Sequence, residues 1–337
     1  VSALSDAIRL AHLSDWHATT LAGGGLARFR GKRISGWASW ALSRRHRHAP
    51  EILEAAIRDV HALGIDRVMV TGDLTHISLE QEFITAAGQL ARLGTPDQVF
   101  LIPGNHDCYV PVAPSRSWDH WSDYLAGDAP EALEPDLASL LIARAAESGA
   151  PAHPDYPVLR IRGNLALIGL CSAVPTPLFH AQGELGAAQL ERLEALLLAL
   201  NQQGLCRVVM VHHPVTAEGE PERRALRDRG ALRAVLARAG AELVVHGHKH
   251  RRRVAWLEGN GRPVPVLGVP SSSEVGSRPE KRAQYHVYTL KRGEDRRWAL
   301  ADVEVRGWSP VRADFGPVDD PFPIEPPGIG AGDTPAS

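Results

Sequence analysis

Residues 98–107 read QVFLIPGNHD: an apolar run suited to a buried strand, a Pro-Gly break, then an amide, an imidazole and a carboxylate side by side. Asparagine occurs only four times in the 337 residues, so Asn105 is not background filler. A strand that ends in Asn105, His106 and Asp107 gathers polar atoms at one point, and other strands repeat the pattern.

Outward from that segment, strands and helices alternate. Residues 8–15 (IRLAHLSD) and 66–73 (DRVMVTGD) read as buried strands, and the spacing predicts a helix over 51–63. Ser78 and Gln81 form a capping-box pattern that opens a helix to about Leu93. Two helical stretches are expected near 115–126 and 130–147. Then come strands at 156–163 and 164–172, a helix at 186–204, a strand at 206–213, a helix at 223–240 and a strand at 241–248. From 251 onward the strands follow one another, the first two joined by the hairpin signal Asn260-Gly261. The order predicts one α/β domain over 1–314 that ends in antiparallel strands. A Pro- and Gly-rich tail is expected over 315–337, where there is little to bury.

A net charge of −2 gives no whole-protein field that would recruit nucleic acid or membrane. No apolar run approaches the ~20 residues of a membrane span. The N-terminus carries no export pattern and the three cysteines form no CxxC pair, so the expected location is the reducing cytoplasm.

Polar residues able to bind metal stand at the C-terminal ends of five strands. Asp15 and His17 end the first, Asp73 the second and Asn105-His106-Asp107 the third; His212-His213 and His246, His248 and His250 end two more. In open α/β sheets ligands bind beyond these ends, so the five sets can converge. Imidazole with carboxylate is borderline-soft ligation that suits Zn, Mn, Fe or Co. One histidine alone is more often a satisfied core residue. Five sets at strand ends have no shared structural cause. His213 and His246 stay with the core reading, and His46, His48, His61, His120, His153, His180 and His286 carry no spacing argument.

The motifs D-x-H (Asp15, His17), G-D (Gly72, Asp73), G-N-H-D (104–107), H-x-P (212–214) and G-H-x-H (247–250) stand in the order of the calcineurin-like metallophosphoesterases, which the chain resembles from about 8 to 250. The resemblance implies a four-layer α/β/β/α sandwich, two mixed sheets flanked by helices, around two divalent metal ions. Carried over position by position, it gives one metal Asp15, His17, Asp73 and His250, and the other Asp73, Asn105, His212 and His248. It places His106 beside the metals as the acid that protonates the leaving oxygen, with Asp107 orienting its ring, and a metal-bound hydroxide as the nucleophile. Where purple acid phosphatases carry a tyrosine ligand, this chain has His76.

Segment 28–48, within a basic Trp/Arg-rich insertion over 18–50, is least like the family. Seven Lys/Arg and no acid fall between Trp16 and Pro50, with Ile34, Trp37 and Ala41 on one helical face. Three readings stand: a helix packing its tryptophans on the body, an active-site rim whose arginines hold phosphate, and a surface that makes peripheral contact at the inner membrane face. The serines after 269 follow a late strand and have two readings, a lining of the pocket and an ordinary turn. The functional expectation is a phosphodiesterase acting on a small-molecule or lipid-linked phosphoester. The alternatives are a pyrophosphatase on a lipid-linked nucleotide sugar such as UDP-2,3-diacylglucosamine, and a non-catalytic binding module. Nucleic acid is not an expected partner, and the oligomeric state is open.

Overall fold

Val68, Met69 and Val70 are all buried, yet they serve two different cores. Val68 and Val70 join the side chains of two helices, whereas Met69 points into a second sheet. Successive strand residues face opposite ways, so a strand buried on both faces reads as a continuous apolar run. Val209 on one side and Val208 and Met210 on the other repeat the arrangement.

The computed structural model describes residues 6–19, 21, 31–41, 46–65, 67–142, 149–216, 221–319, 322 and 324. Parts of the insertion expected over 18–50, of the helix expected over 130–147 and of the tail lie outside them. The elements begin with β1 (Ala7–Leu13), α1 (Lys32–Ser39), α2 (Pro50–Ala62), β2 (Val68–Val70), α3 (Glu80–Leu93) and β3 (Val99–Leu101). Short turns α4 (Ser122–Leu125) and α5 (Pro135–Ala138) precede β4 (Val158–Arg162), β5 (Leu165–Gly169), α6 (Ala187–Gln202) and β6 (Cys206–Met210). After α7 (Arg229–Ala239) and β7 (Leu243–His246) come β8 (Arg253–Leu257), β9 (Val264–Gly268), β10 (Gln284–Arg292), β11 (Trp298–Ser309) and β12 (Asp314–Pro317).

One six-stranded sheet has the order β12-β11-β10-β1-β2-β3, the other β4-β5-β6-β7-β9-β8. Strands β1, β2 and β3 run parallel, as do β5, β6, β7 and β9; the remaining pairings are antiparallel. Helices α2 and α3 cover the outer face of the first sheet through Ile52, Leu53, Phe83 and Leu90. Helices α6 and α7 cover the second through Leu193, Leu197, Leu232 and Leu236. Between the sheets lies a third core that contains Leu10, Phe100, Val245 and Tyr288. The four layers are therefore α/β/β/α, two mixed sheets flanked by helices.

Three expectations need correction. Over 115–126 and 130–142 the chain forms one-turn pieces, three of them started by Pro114, Pro130 and Pro135. Helix α3 begins after Leu79 rather than Ser78: Ser78 has a φ of 57° and its hydroxyl donates to the His106 carbonyl instead. The Glu82 carboxylate caps the helix, accepting the N–H of His76, Ile77 and Leu79. The tail expected from 315 begins inside β12, whose Phe315 is buried against Tyr285, and Phe322 packs edge-on to His286. Among the described residues no helix is long and apolar enough to cross a membrane.

Candidate metal centre

Parallel strands from both sheets end at one place, and short backbone bonds tie the ends together. Asp15 N donates to Gly72 O at 2.9 Å, His17 N to Asp73 O at 3.2 Å and Gly247 N to His212 O at 3.2 Å. Gly72 has a φ of 86°, and a methyl group on Gly104 would overlap the Asp73 backbone and carboxylate. The G of G-N-H-D is thus what lets the β2 and β3 ends touch. Asp15, His17, Asp73, His248 and His250 all have φ between 41° and 70°, a left-handed conformation that non-glycine residues hold only under constraint.

All seven residues expected to hold metal meet. Asp15, His17 and His250 form one group with ligating atoms within 4.8 Å of one another, Asp73, His212 and His248 form another, and His17, Asp73 and His106 a third that adjoins both. Asp73 Oδ2 lies 3.8 Å from His17 Nε2 and 3.4 Å from His212 Nε2, so one carboxylate oxygen serves both groups. Asn105 Oδ1 sits 3.1 Å from His212 Nε2 and 2.8 Å from His248 Nδ1. His250 Nε2 is 3.4 Å from Asp15 Oδ1.

The second nitrogens of these rings fix their orientation. His17 Nδ1 donates to Thr75 O at 2.7 Å and His212 Nδ1 to Thr71 O at 2.6 Å, which turns each Nε2 lone pair inward. Burial works against charge on His212, yet Asp73 outweighs it and pushes the ring up to about 9. His250, likewise opposed by burial, is pushed up to about 9 by Asp15. Inward lone pairs, carboxylates and an amide oxygen facing one another require positive charge between them, and a proton on a ring is the substitute for a cation. The donor set fits two divalent ions, of which Asp15, His17, Asp73 and His250 would hold the first and Asp73, Asn105, His212 and His248 the second.

His106 lies beside the cluster. Its backbone N–H donates to Asp73 Oδ1 at 2.7 Å, and its Nδ1 to the His76 carbonyl at 2.6 Å. The role expected for Asp107 is not what the geometry gives. Its carboxylate accepts five donors: the N–H of Asp73, Leu74, Thr75 and Gly104, and the Thr75 hydroxyl, all at 2.8–3.1 Å. The His76 carbonyl orients the His106 ring, and Asp107 instead nails the β2 loop to the β3 loop. Adjacent residues leave a chain in different directions, so neither spacing nor motif distinguishes the two roles.

The cluster floors a cavity of about 590 Å³. Cations from separate segments wall it, among them Lys32, Arg47, Arg224, Lys249, Arg251 and Lys281; the acids among its described lining residues are Asp73 and Glu274. The insertion supplies part of the wall. Trp37 and Trp40 of the α1 region pack with Tyr109 against Leu21, Ile77 and Leu79, while Lys32 lies 4.2 Å from the Tyr109 ring centre and donates to Thr176 Oγ1 at 2.8 Å. Packed helix and cationic rim are therefore one structure. Ile34, expected on the packed face, is 54% exposed, because Gly36 is where the helix touches the body. Arg28, Arg30, Arg44 and Arg45 lie outside the described residues.

Several site residues escape sequence reasoning. His48 stands 4.9 Å from His17 and 5.5 Å from His250 between ring centres, with Nδ1 3.0 Å from Ser273 Oγ. Glu274 bridges His250 Nδ1 (3.4 Å) to Arg47 (2.7 Å). Ser271, Ser272 and Ser273 are not a solvent turn: they are buried and bond to Asp15 O, Ser14 N and Trp16 O. A signal for them exists, since they follow β9, a further parallel strand whose end points at the site. His76 stacks on His17 at 5.3 Å. His213 turns to Ser172 and Ala181, and His246 lies buried beside Gly247.

The same place is reached by comparison. A dimetal phosphatase from Danio rerio superposes with a TM-score of 0.52 at 12% identity, over 92% of this chain and 98% of that one. A 5′-nucleotidase precursor from Thermus thermophilus gives 0.46 at 15% identity, over 89% and 54%, and a putative 5′-nucleotidase from Staphylococcus aureus 0.49 at 11%, over 94% and 55%. The chain spans about half the length of both nucleotidases, and at these identities the likeness to the phosphatase speaks to the fold alone. No curated protein matches the sequence at a significant level. The family model described as calcineurin-like phosphoesterase matches residues 8–252, which hold every motif at the cluster, and the chain belongs to that family.

Proposed function

We propose that the chain hydrolyses a phosphodiester, with His106 as the proton donor to the leaving oxygen. The observation that carries this reading is the form of the cavity above the cluster. A diester brings one negative charge and two organic groups, so it needs room and apolar wall beyond the phosphoryl position. A cavity of about 590 Å³ supplies the room, and Trp40, Tyr109 and Phe179 are among its walls.

Divalent ions held by Asp73 and its partners would acidify a water and neutralise charge on the phosphoryl group. The residues of the chain do the rest. The surrounding lysines and arginines bind and orient the anion. Donation from Nδ1 to the His76 carbonyl leaves the other His106 nitrogen on the cavity side. Burial pushes Lys32 down to about 8. It therefore remains mostly charged near neutral pH, within the insertion wall.

The test is a matched comparison of bis(p-nitrophenyl) phosphate and p-nitrophenyl phosphate with Mn²⁺ added. The expected result is a higher kcat/KM for the diester; the acid role of His106 is read with a poorer leaving group, since p-nitrophenolate needs no proton. Preference for the monoester would end the diester reading, and no turnover of either would end the catalytic one.

A further inference from the structure

Arg251 and Lys281 wall the catalytic cavity and also a second one beside it. This second hollow, of about 840 Å³, lies between the 251–252 turn, the 279–284 segment and the β11–β12 hairpin. Arg252, Arg282 and Arg312 join Arg251 and Lys281 around it, and Glu280 is the acid among its described lining residues. Trp308 gives it an aromatic face.

Some arginines elsewhere on the surface are neutralised, Arg92, Arg227, Arg229 and Arg238 each by a glutamate. Among the described residues, no carboxylate lies within ion-pair reach of Arg251, Lys281, Arg282 or Arg312. Arg282 Nε is buried with no hydrogen-bond partner among them. Clustered like charges repel, and a buried donor without an acceptor is unfavourable, so among the described residues the hollow is a place that an anion would stabilise.

We propose that the second cavity is a subsite for phosphates remote from the scissile linkage, and that the substrate is a short single-stranded oligonucleotide. Its backbone passes over Arg251 and Lys281, and a base lies on Trp308. A cationic track with aromatic platforms binds single strands with little regard to sequence. The inference rests on the phosphodiesterase reading and names its substrate class. It also revises the expectation that nucleic acid is not a partner: the cations come from 251–252, 281–282 and 312, and only the fold gathers them.

The test uses Arg282→Gln combined with Arg312→Gln, two residues that line only the second cavity. For the wild type, kcat/KM should rise by about tenfold from a thymidine dinucleotide to a hexanucleotide, as added phosphates find cations. The double variant should lose that rise while hydrolysing bis(p-nitrophenyl) phosphate as the wild type does. Anisotropy of a fluorescein-labelled hexanucleotide in EDTA reads binding without turnover, and its salt slope should fall by about 0.7 per arginine removed. Length-independent rates, or unchanged binding and slope in the variant, would overturn the proposal. Displacement by inorganic tripolyphosphate at equal concentration would overturn its nucleotide part. Should diester turnover be absent while binding still depends on the two arginines, the phosphodiesterase reading fails and the subsite stands.

Discussion

The ring of Tyr109 lies parallel to that of His106, with 5.7 Å between centres and 11° between planes, and Lys32 from the insertion stands over the same tyrosine. His106, the proposed proton donor, thus sits between the candidate metal ligands and a wall built from the segment least like the rest of the family. What holds that wall down is the contact at Gly36, where a methyl group would come 2.5 Å from Ile77 Cγ2 and 2.9 Å from the Tyr109 hydroxyl. Gly36→Ala is expected to displace α1 at an overpacking cost of about 1–3 kcal/mol. In steady-state kinetics KM for the diester should rise while metal content holds. An unchanged KM would show that the helix does not shape the substrate site.

His106→Ala should lower kcat by about 10²–10⁴ with a poor leaving group and much less with p-nitrophenolate, which needs no proton. Metal analysis should show unchanged content, because the ring lies beside the ligand set. Equal losses for both leaving groups would remove His106 from the acid role.

Asp107 is assigned to architecture. Five donors point at its carboxylate, and the carboxamide of Asp107→Asn would turn an N–H₂ toward some of them. Urea denaturation should show a loss of at least about 3 kcal/mol, since several buried donors lose their acceptor at once. A variant of wild-type stability with a depressed kcat would return Asp107 to the chemistry.

Much of this site is legible in the sequence because Asp, His and Asn stand just past apolar strands, where alternation fixes the strand and the strand fixes the exit. Asp15, Asp73, Asn105, His212 and His248 are all of that kind. Glu274 and His48 are not: each is brought in by a loop, and loop length carries no period. Segment 115–142 has helical composition, but the prolines at 114, 130 and 135 start single turns within it. Charge fails for another reason. The run at 28–48 is visible as a string, whereas Arg224, Lys249 and Lys281 become one surface only after folding.

Between the sheets His286 is fully buried, with Nδ1 3.3 Å from the Tyr288 hydroxyl. Burial, with Arg252 adding to it, pushes the ring from its ordinary 6.5 down to about 3. Between those values the unfolded chain binds a proton that the native ring refuses, so stability is lost as pH falls from about 6.5 toward 3. The contribution is at most about 1.4 kcal/mol per pH unit, and it is flat above 6.5. His286→Phe should shallow the fall in urea midpoint between pH 6.5 and pH 5. An unaltered slope would contradict this placement of the ring.

The shared Asp73 oxygen is the point on which the site depends, and metal stoichiometry reads it directly. Titration of the metal-stripped protein with Mn²⁺, followed by calorimetry, should give two ions per wild-type chain. Asp73→Ala, which removes the shared oxygen, should lose at least one ion and weaken the other. A wild-type chain that binds no metal, or an Asp73→Ala chain that binds two ions with unchanged affinity, would contradict the account.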